Sequence, residues 1–269
     1  MPTRQVPVLP ADCFNGLAIC RHGPMLYNRN DQYVGASLRK YGEFSAGESE
    51  VFRAFIAPGT AVVEVGANIG AHTVELSRLV GAGGAVHAFE PQRIVFQTLC
   101  ANLALNGCAN VFAYQAAIGE TPGEILVPFL PPNQPNNFGG LSLHGTTRGE
   151  PVSLRTLDSL GLTACRFLKL DCEGMEAEAL RGGANMIRAL RPILYVENDR
   201  KERSAELIGL LLSWQYRLYW HWPPLFTPQN FAGDAENIFD NIVSFNMVCV
   251  PAELNLTIRG LQKVEPQQQ

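Results

Sequence analysis

From Ala61 onward the chain alternates short apolar runs with segments of helical period, and few folds accept that alternation. Ala61-Val-Val-Glu-Val65 reads as a buried strand, after which Ile69, Thr73, Leu76 and Val80 share one helical face. That helix stops at Gly81, Gly83 and Gly84. Ala85-Val-His-Ala-Phe89 is the next strand, and Phe96, Leu99, Cys100 and Leu103 mark the next helix. Residues 110–117, 165–170, 193–196, 216–220 and 243–250 read as further strands. One helix places Leu180, Gly183, Ile187 and Leu190 on a face, and another places Leu207, Leu210, Leu211 and Trp214. Buried strands alternating with helices imply an α/β domain with a mostly parallel, doubly wound sheet.

The remaining segments lack this period. Residues 1–42 are expected to form an N-terminal arm or cap, and 43–263 one α/β domain opened by a helix over 47–56. Residues 121–153 carry six prolines, five glycines and only three charges, Glu124, Arg148 and Glu150. They read as a surface insertion whose ends, 124–129 and 151–154, can pair as a hairpin, and such loops serve as lids or are merely tolerated. A second irregular stretch, the aromatic loop 221–241, lies between the last two strands, and residues 264–269 are expected to be disordered.

Composition narrows the function. At 46% hydrophobic and 17% charged residues the chain folds, and its net charge of −4 lacks the basic surface a nucleic-acid binder needs. No apolar run suits a signal-peptide core or a membrane span. Seven scattered cysteines without a C-x-x-C pair fit free thiols in a reducing cytoplasm better than a disulfide framework or a zinc site. A cytoplasmic protein is expected, with homo-oligomerisation left open.

The strongest local signal is Glu64-Val-Gly66-Ala-Asn68-Ile-Gly70, set between a strand and a helix. In doubly wound sheets ligands bind at the carboxyl ends of the strands. Gly66 permits a tight turn and Gly70 a close helix start. Glu90 ends the next strand, where an acid accepts hydrogen bonds from ribose hydroxyls. A dinucleotide calls for G-x-G-x-x-G; here the register is G-x-x-x-G. Glu64 would repel a pyrophosphate and suits the sulfonium of S-adenosylmethionine. A nicotinamide-dependent oxidoreductase, or a non-catalytic cofactor-binding scaffold, remains the alternative.

Three runs carry a resemblance: Val63-Glu-Val-Gly-Ala-Asn-Ile-Gly-Ala-His-Thr73, Ala88-Phe-Glu-Pro-Gln92, and Phe167-Leu-Lys-Leu-Asp-Cys-Glu-Gly-Met-Glu176. With Asn102-Leu-Ala-Leu-Asn-Gly107 and Ala179-Leu-Arg-Gly-Gly183 between and after them, residues 43–197 resemble the FkbM-type family of S-adenosylmethionine-dependent methyltransferases. The resemblance implies a class I methyltransferase fold, Rossmann-like, with a seven-stranded sheet whose last strand is antiparallel. It also implies O-methylation of a hydroxyl on a small molecule or glycan, as in natural-product tailoring. Family loops usually begin with Asp; Glu64 departs from this and keeps the charge. The expected cofactor contacts are Glu64, Gly66, Ala67, Asn68, Gly70, Thr73, Glu90, Pro91, Ala117 and Asp171.

Methyl transfer from a sulfonium is an in-line displacement, and a poorly nucleophilic hydroxyl needs its proton removed. Lys169, Asp171, Glu173 and Glu197 end strands above the expected cofactor and are the catalytic candidates. Two readings compete. Asp171 or Glu173 acts as a general base, or Asp171, Glu197 and Asn198 hold a divalent cation such as Mg²⁺ or Mn²⁺. Glu173 and Asp199 are equally ordinary as helix-start acids. Among the histidines, His72 can touch a ligand, His87 is structural, and His144 and His221 sit in loops. Asn133, Asn136, Asn137 and Ser142 in one loop, and Trp222, Phe226, Asn230 and Phe231 in the other, suit an uncharged polyhydroxyl acceptor.

Overall fold

The computed structural model describes residues 9–10 and 12–265. The chain begins with a hairpin, β1 (Asn15–Cys20) and β2 (Gly23–Asn28), followed by α1 (Val34–Tyr41) and α2 (Ala46–Phe55). The alternating part then runs β3 (Ala61–Val65), α3 (Thr73–Val80), β4 (Ala85–Phe89), α4 (Arg93–Leu105) and β5 (Val111–Tyr114). After β6 (Ala117–Ile118), β7 (Gly123–Val127) and β8 (Glu150–Arg155) it resumes with β9 (Phe167–Leu170), α5 (Glu176–Arg181), α6 (Ala184–Leu190) and β10 (Ile193–Glu197). It closes with α7 (Lys201–Ser213), β11 (Tyr216–His221) and β12 (Asn246–Pro251).

Seven strands form the central sheet in the order β11-β12-β10-β9-β3-β4-β5. The pairs β3–β4, β4–β5, β3–β9 and β9–β10 are parallel, whereas β12 runs antiparallel to both β10 and β11. The last strand alone is reversed, which is the class I methyltransferase arrangement. Because side chains alternate across a strand, each face collects its own core. Val63, Leu168, Leu194 and Cys249 pack on one face against Leu180, Ile187 and Leu211 of α5, α6 and α7. Val62, Phe167, Tyr195 and Val248 pack on the other against Phe52 and Leu76 of α2 and α3.

Two sequence expectations about strands and helices change. The run 110–117 is two strands, because β6 leaves the main sheet to pair in parallel with β8, against which β7 runs antiparallel as the expected hairpin. The single helix over 180–190 is two, broken at Gly182-Gly183. A Cβ on Gly182 would stand 2.0 Å from the Gly119 carbonyl oxygen, so the chain turns where Gly119 crosses it. From residue 12 on, the N-terminal segment packs as a layer: Asn102, fully buried on α4, bonds the Leu26 N–H at 2.7 Å, the Leu26 carbonyl at 2.9 Å and the Ile69 carbonyl at 2.8 Å. Of the tail expected to be disordered, residues 266–269 lie outside the described residues, while Val264 is buried and donates its N–H to Leu218.

Asn102 ties the hairpin to the loop before α3 through one amide. We expect Asn102→Ala to cost about 2–4 kcal/mol, since it leaves buried backbone groups without partners. A urea unfolding midpoint unchanged from that of the parent protein would contradict this.

Candidate active site

A cavity of about 510 Å³ opens at the carboxyl ends of β3, β4, β9 and β10. Its floor is the loop after β3. Gly66 has φ +82°, and a Cβ there would lie 1.8 Å from the Asp171 carbonyl oxygen. Glycine is required by both conformation and approach. Asn68 also adopts a left-handed φ of +50°. Its N–H donates to Glu90 Oε2 at 3.0 Å, while the Gln92 N–H donates to Glu90 Oε1 at 2.8 Å. Burial pushes the Glu90 carboxyl up to about 7. Each of its oxygens keeps a second lone pair for a ligand.

Gly66, Ala67, Asn68, Glu90, Pro91 and Ala117 all line the cavity, as do Glu64 and Asp171. Gly70 and Thr73, expected as cofactor contacts, do not. Gly70, at φ +87°, stands where a Cβ would meet Leu99 of α4 at 2.8 Å, so it serves helix packing. Thr73 is buried behind the wall and donates to Glu64 Oε2 at 2.7 Å.

Strand register sets the other wall. Glu64 lies beside Lys169, and Lys169 beside Tyr195, on neighbouring strands. Lys169 is 2% exposed and donates to Asp171 Oδ2 at 2.8 Å. Burial pulls its ammonium pKa down, but Asp171, Glu48 and Glu64 outweigh this and raise it. Burial pushes both Glu48 and Glu64 up to about 7 against the pull of Lys169. Glu48 enters from α2, held by the Ser45 hydroxyl at 3.0 Å. Sequence reading overlooked it, although Ser45-Ala-Gly-Glu48 has capping-box spacing.

Asp171, Glu173 and Glu197 each bring a carboxylate oxygen within 4.8 Å of the others. Glu173, at φ +56°, pairs with Arg200; burial and Asp171 push its carboxyl up to about 8 against that partner. Burial and the neighbouring acids raise Glu197 well above the carboxylate range. Asn198, expected beside Glu197 in a metal site, is turned away and lines no part of the cavity. Its amide donates to Met247 Sδ at 3.4 Å, on the opposite face of the sheet. Adjacent residues of one strand point to opposite sides.

His72 lines the cavity, buried, with Nε2 3.5 Å from Glu48 Oε2. His87 stacks between Phe112 and Tyr114, as a structural residue does, and His144 is exposed. His221 holds the Tyr195 hydroxyl at 2.8 Å. From the insertion, Asn137 with Gly139, Gly140 and Leu141 reaches the cavity, and Phe138 anchors them in the core. Asn133, Asn136 and Ser142 do not line it. Phe226 packs on Tyr41, Phe231 lies under Arg21, and the Asn230 amide is spent on Thr227 and Asp234. Trp222 is half-exposed and does not line the cavity itself; it meets Phe245, which does, edge to face at 5.8 Å. Residues 242–246 complete the rim, a contribution masked in the sequence by their position inside an expected strand.

The sequence model of the methyltransferase FkbM domain matches residues 64–218. This chain belongs to the FkbM methyltransferase domain family. Its matched region holds Glu64, Gly66, Glu90, Asp171 and Glu197, the residues that shape the cavity. Among solved structures, one similar to it is an FkbM methyltransferase from Methylobacillus flagellatus KT, at 19% identity and TM-score 0.49. The alignment covers 74% of this chain and 50% of that one, so the chain spans half the length of this relative. Others are a putative rRNA methylase from Clostridium thermocellum (15% identity, 82% and 96% coverage, TM-score 0.45) and the O-methyltransferase TomG from Streptomyces achromogenes, involved in tomaymycin synthesis and solved with SAM (11%, 77% and 79%, TM-score 0.47). The sequence matches no curated relative. Among the described residues, no helix is long and apolar enough to cross a membrane.

Glu48 provides a pH test. A buried acid raised from an ordinary value near 4.5 to about 7 binds its proton more tightly folded than unfolded. Its stabilising contribution is therefore present below the lower value and lost as pH rises through the upper one. We expect the stability of Glu48→Gln relative to the parent to rise between pH 4.5 and 7 and level off above. A difference in urea midpoints that is flat across this range would refute the assignment.

Proposed function

We propose that this chain is an S-adenosylmethionine-dependent O-methyltransferase acting on a hydroxyl of a small molecule or glycan. The observation that carries the reading is that one cavity gathers Glu64 and Glu90, near the ends of β3 and β4, with Asp171 and Glu197, at the ends of β9 and β10. The cavity has the volume of a small-molecule site. The loop geometry fits the cofactor, since Gly66 brings the backbone close and Glu90, fixed by two backbone N–H groups, lines the cavity. Glu90 would hold the ribose hydroxyls and Glu64 would face the cationic end. When bound, S-adenosylmethionine supplies an activated methyl group on a positively charged sulfur.

The chain's own residues then have two tasks. They align the acceptor hydroxyl and take its proton. Asp171 is placed for the second: Lys169 fixes its Oδ2 from below, and its side chain is 36% exposed into the cavity. The metal reading fits the donor set less well. Asp171 already has Lys169 as a cationic partner and Glu173 has Arg200, which leaves Glu197 alone of the three acids without one. Among the described residues Lys169 and Arg200 are the only Lys or Arg residues lining the cavity, and both are paired, so a phosphate-rich acceptor meets no free cation there.

Three outcomes test this. Glu90→Ala should weaken S-adenosylmethionine binding by about 1.5–3 kcal/mol in calorimetry, the loss expected for hydrogen bonds to a charged group. Asp171→Asn should keep cofactor affinity within a few-fold and cut turnover on the order of 10² or more. Near-full turnover in that variant removes Asp171 as base, and activity lost to a chelator and restored by Mg²⁺ would install the metal reading instead. Trp222→Ala should raise the acceptor's KM with cofactor affinity intact, because it removes binding common to ground and transition states.

A further inference from the structure

Glu197 and Asn246 face each other across β10 and β12. The adjacent Asn198 N–H bonds the Phe245 carbonyl at 2.7 Å, which makes Glu197–Asn246 the neighbouring pair without its own backbone bonds. In antiparallel sheets these are the pairs whose side chains come closest. Both residues line the cavity, and Asn246 is 4% exposed. Glu197 Oε2 and Asn246 Nδ2 are nonetheless buried without a hydrogen-bond partner. Such atoms are costly in a folded protein, and each calls for an explanation. The Tyr195 hydroxyl, on the same face, is held by His221 at 2.8 Å; the Asn246 amide lies near its oxygen, yet the two stand outside hydrogen-bond geometry. Glu197 and Asn246 face each other without closing a hydrogen bond of their own, so a group between them can serve both: the carboxyl oxygen accepts and the amide donates.

We propose that Glu197 and Asn246 form a hydroxyl-reading pair that holds a second hydroxyl of the acceptor, beside the one that takes the methyl group. A hydroxyl donates to Glu197 and accepts from Asn246 at once. An ammonium satisfies only the first, and a carbonyl or phosphate oxygen only the second. Carboxylate oxygens of Asp171 and Glu197 lie within 4.8 Å of each other. Hydroxyls bound one to each therefore sit close together on one acceptor, so the site selects a polyol with closely spaced hydroxyls. Asn246 is thus a specificity-determining residue, and Glu197 positions the acceptor without serving as its base. The inference rests on the O-methyltransfer reading for its reacting hydroxyl.

The test uses the full chain loaded with S-adenosylhomocysteine and titrated with methyl pyranosides of gluco, galacto and manno configuration, each with its monodeoxy analogues. Saturation-transfer NMR reads binding, and label from S-adenosylmethionine reads transfer. At least one parent sugar should bind, and removal of one ring hydroxyl should weaken it about tenfold, the worth of a hydrogen bond to a charged or buried partner. Asn246→Asp, nearly the same in shape, should bring that ratio close to one and favour the corresponding amino sugar; Glu197→Gln should lower it as well. A ratio unchanged in Asn246→Asp, or no binding of any pyranoside to the parent, overturns the pair. If the ratio collapses in Asn246→Asp but no label reaches the sugar, the pair stands and the O-methyltransfer reading falls.

Discussion

One buried ammonium holds the site together. Lys169 sits in the middle of the sheet's carboxyl edge, bonded to Asp171 and within the field of Glu48 and Glu64. Those acids come from β9, α2 and β3, elements distant in sequence. Without it Glu48 and Glu64 would be buried acids with no ammonium beside them, and removing one member of such a cluster costs far more than the pair is worth in isolation. The Lys169 side chain therefore fixes more than its own strand. It determines that α2 can bring a carboxyl into the interior, and that β3 can end in Glu64 beneath an otherwise apolar face.

Register turns that local fact into a site. On the face shared with α2, two polar rows cross the ends of an apolar sheet. Glu64, Lys169 and Tyr195 are neighbours in the lower one. Glu197, Asn246 and His221 are neighbours in the upper one. Below both, the same face is filled by Val62, Phe167, Ile193 and Val250. The polar rows lie one pleat apart because side chains on one face repeat every second residue. The period that builds the core thus also ranks the functional groups by depth: Lys169 and Glu64 deepest, Asp171, Glu197 and Asn246 at the mouth.

This explains which parts of the molecule were legible in the sequence. The strand and helix alternation reports local periodicity, and the order of the central elements follows from it. The loop of Gly66 and the strand-end acids Glu90 and Asp171 are legible because each sits at a boundary between two periods. Asn198 misled because adjacency in sequence suggested shared ligation, whereas a strand sends neighbours to opposite faces. Glu48 and Asn246 were overlooked for a different reason. One is a helical acid and the other a strand amide, and neither is unusual until the fold supplies its partners. The hairpin of β1 and β2 carries too little alternation to announce itself; Asn102, far along the chain, supplies the bonds that order it.

The acids also fix the sign of the cavity. Glu48, Glu64 and Glu90 are pushed to about 7, chiefly by burial, and Glu173 to about 8 by burial with Asp171. Repulsion among these carboxyls falls when a cation enters, so a positively charged ligand lowers their pKa values and binding releases protons. A neutral ligand of the same shape gains no such relief. On the proposed reading the cofactor arrives as a sulfonium and departs as a neutral sulfide. The same carboxyls that favour the donor thus hold the spent cofactor less tightly, and the protons released on entry return as it leaves.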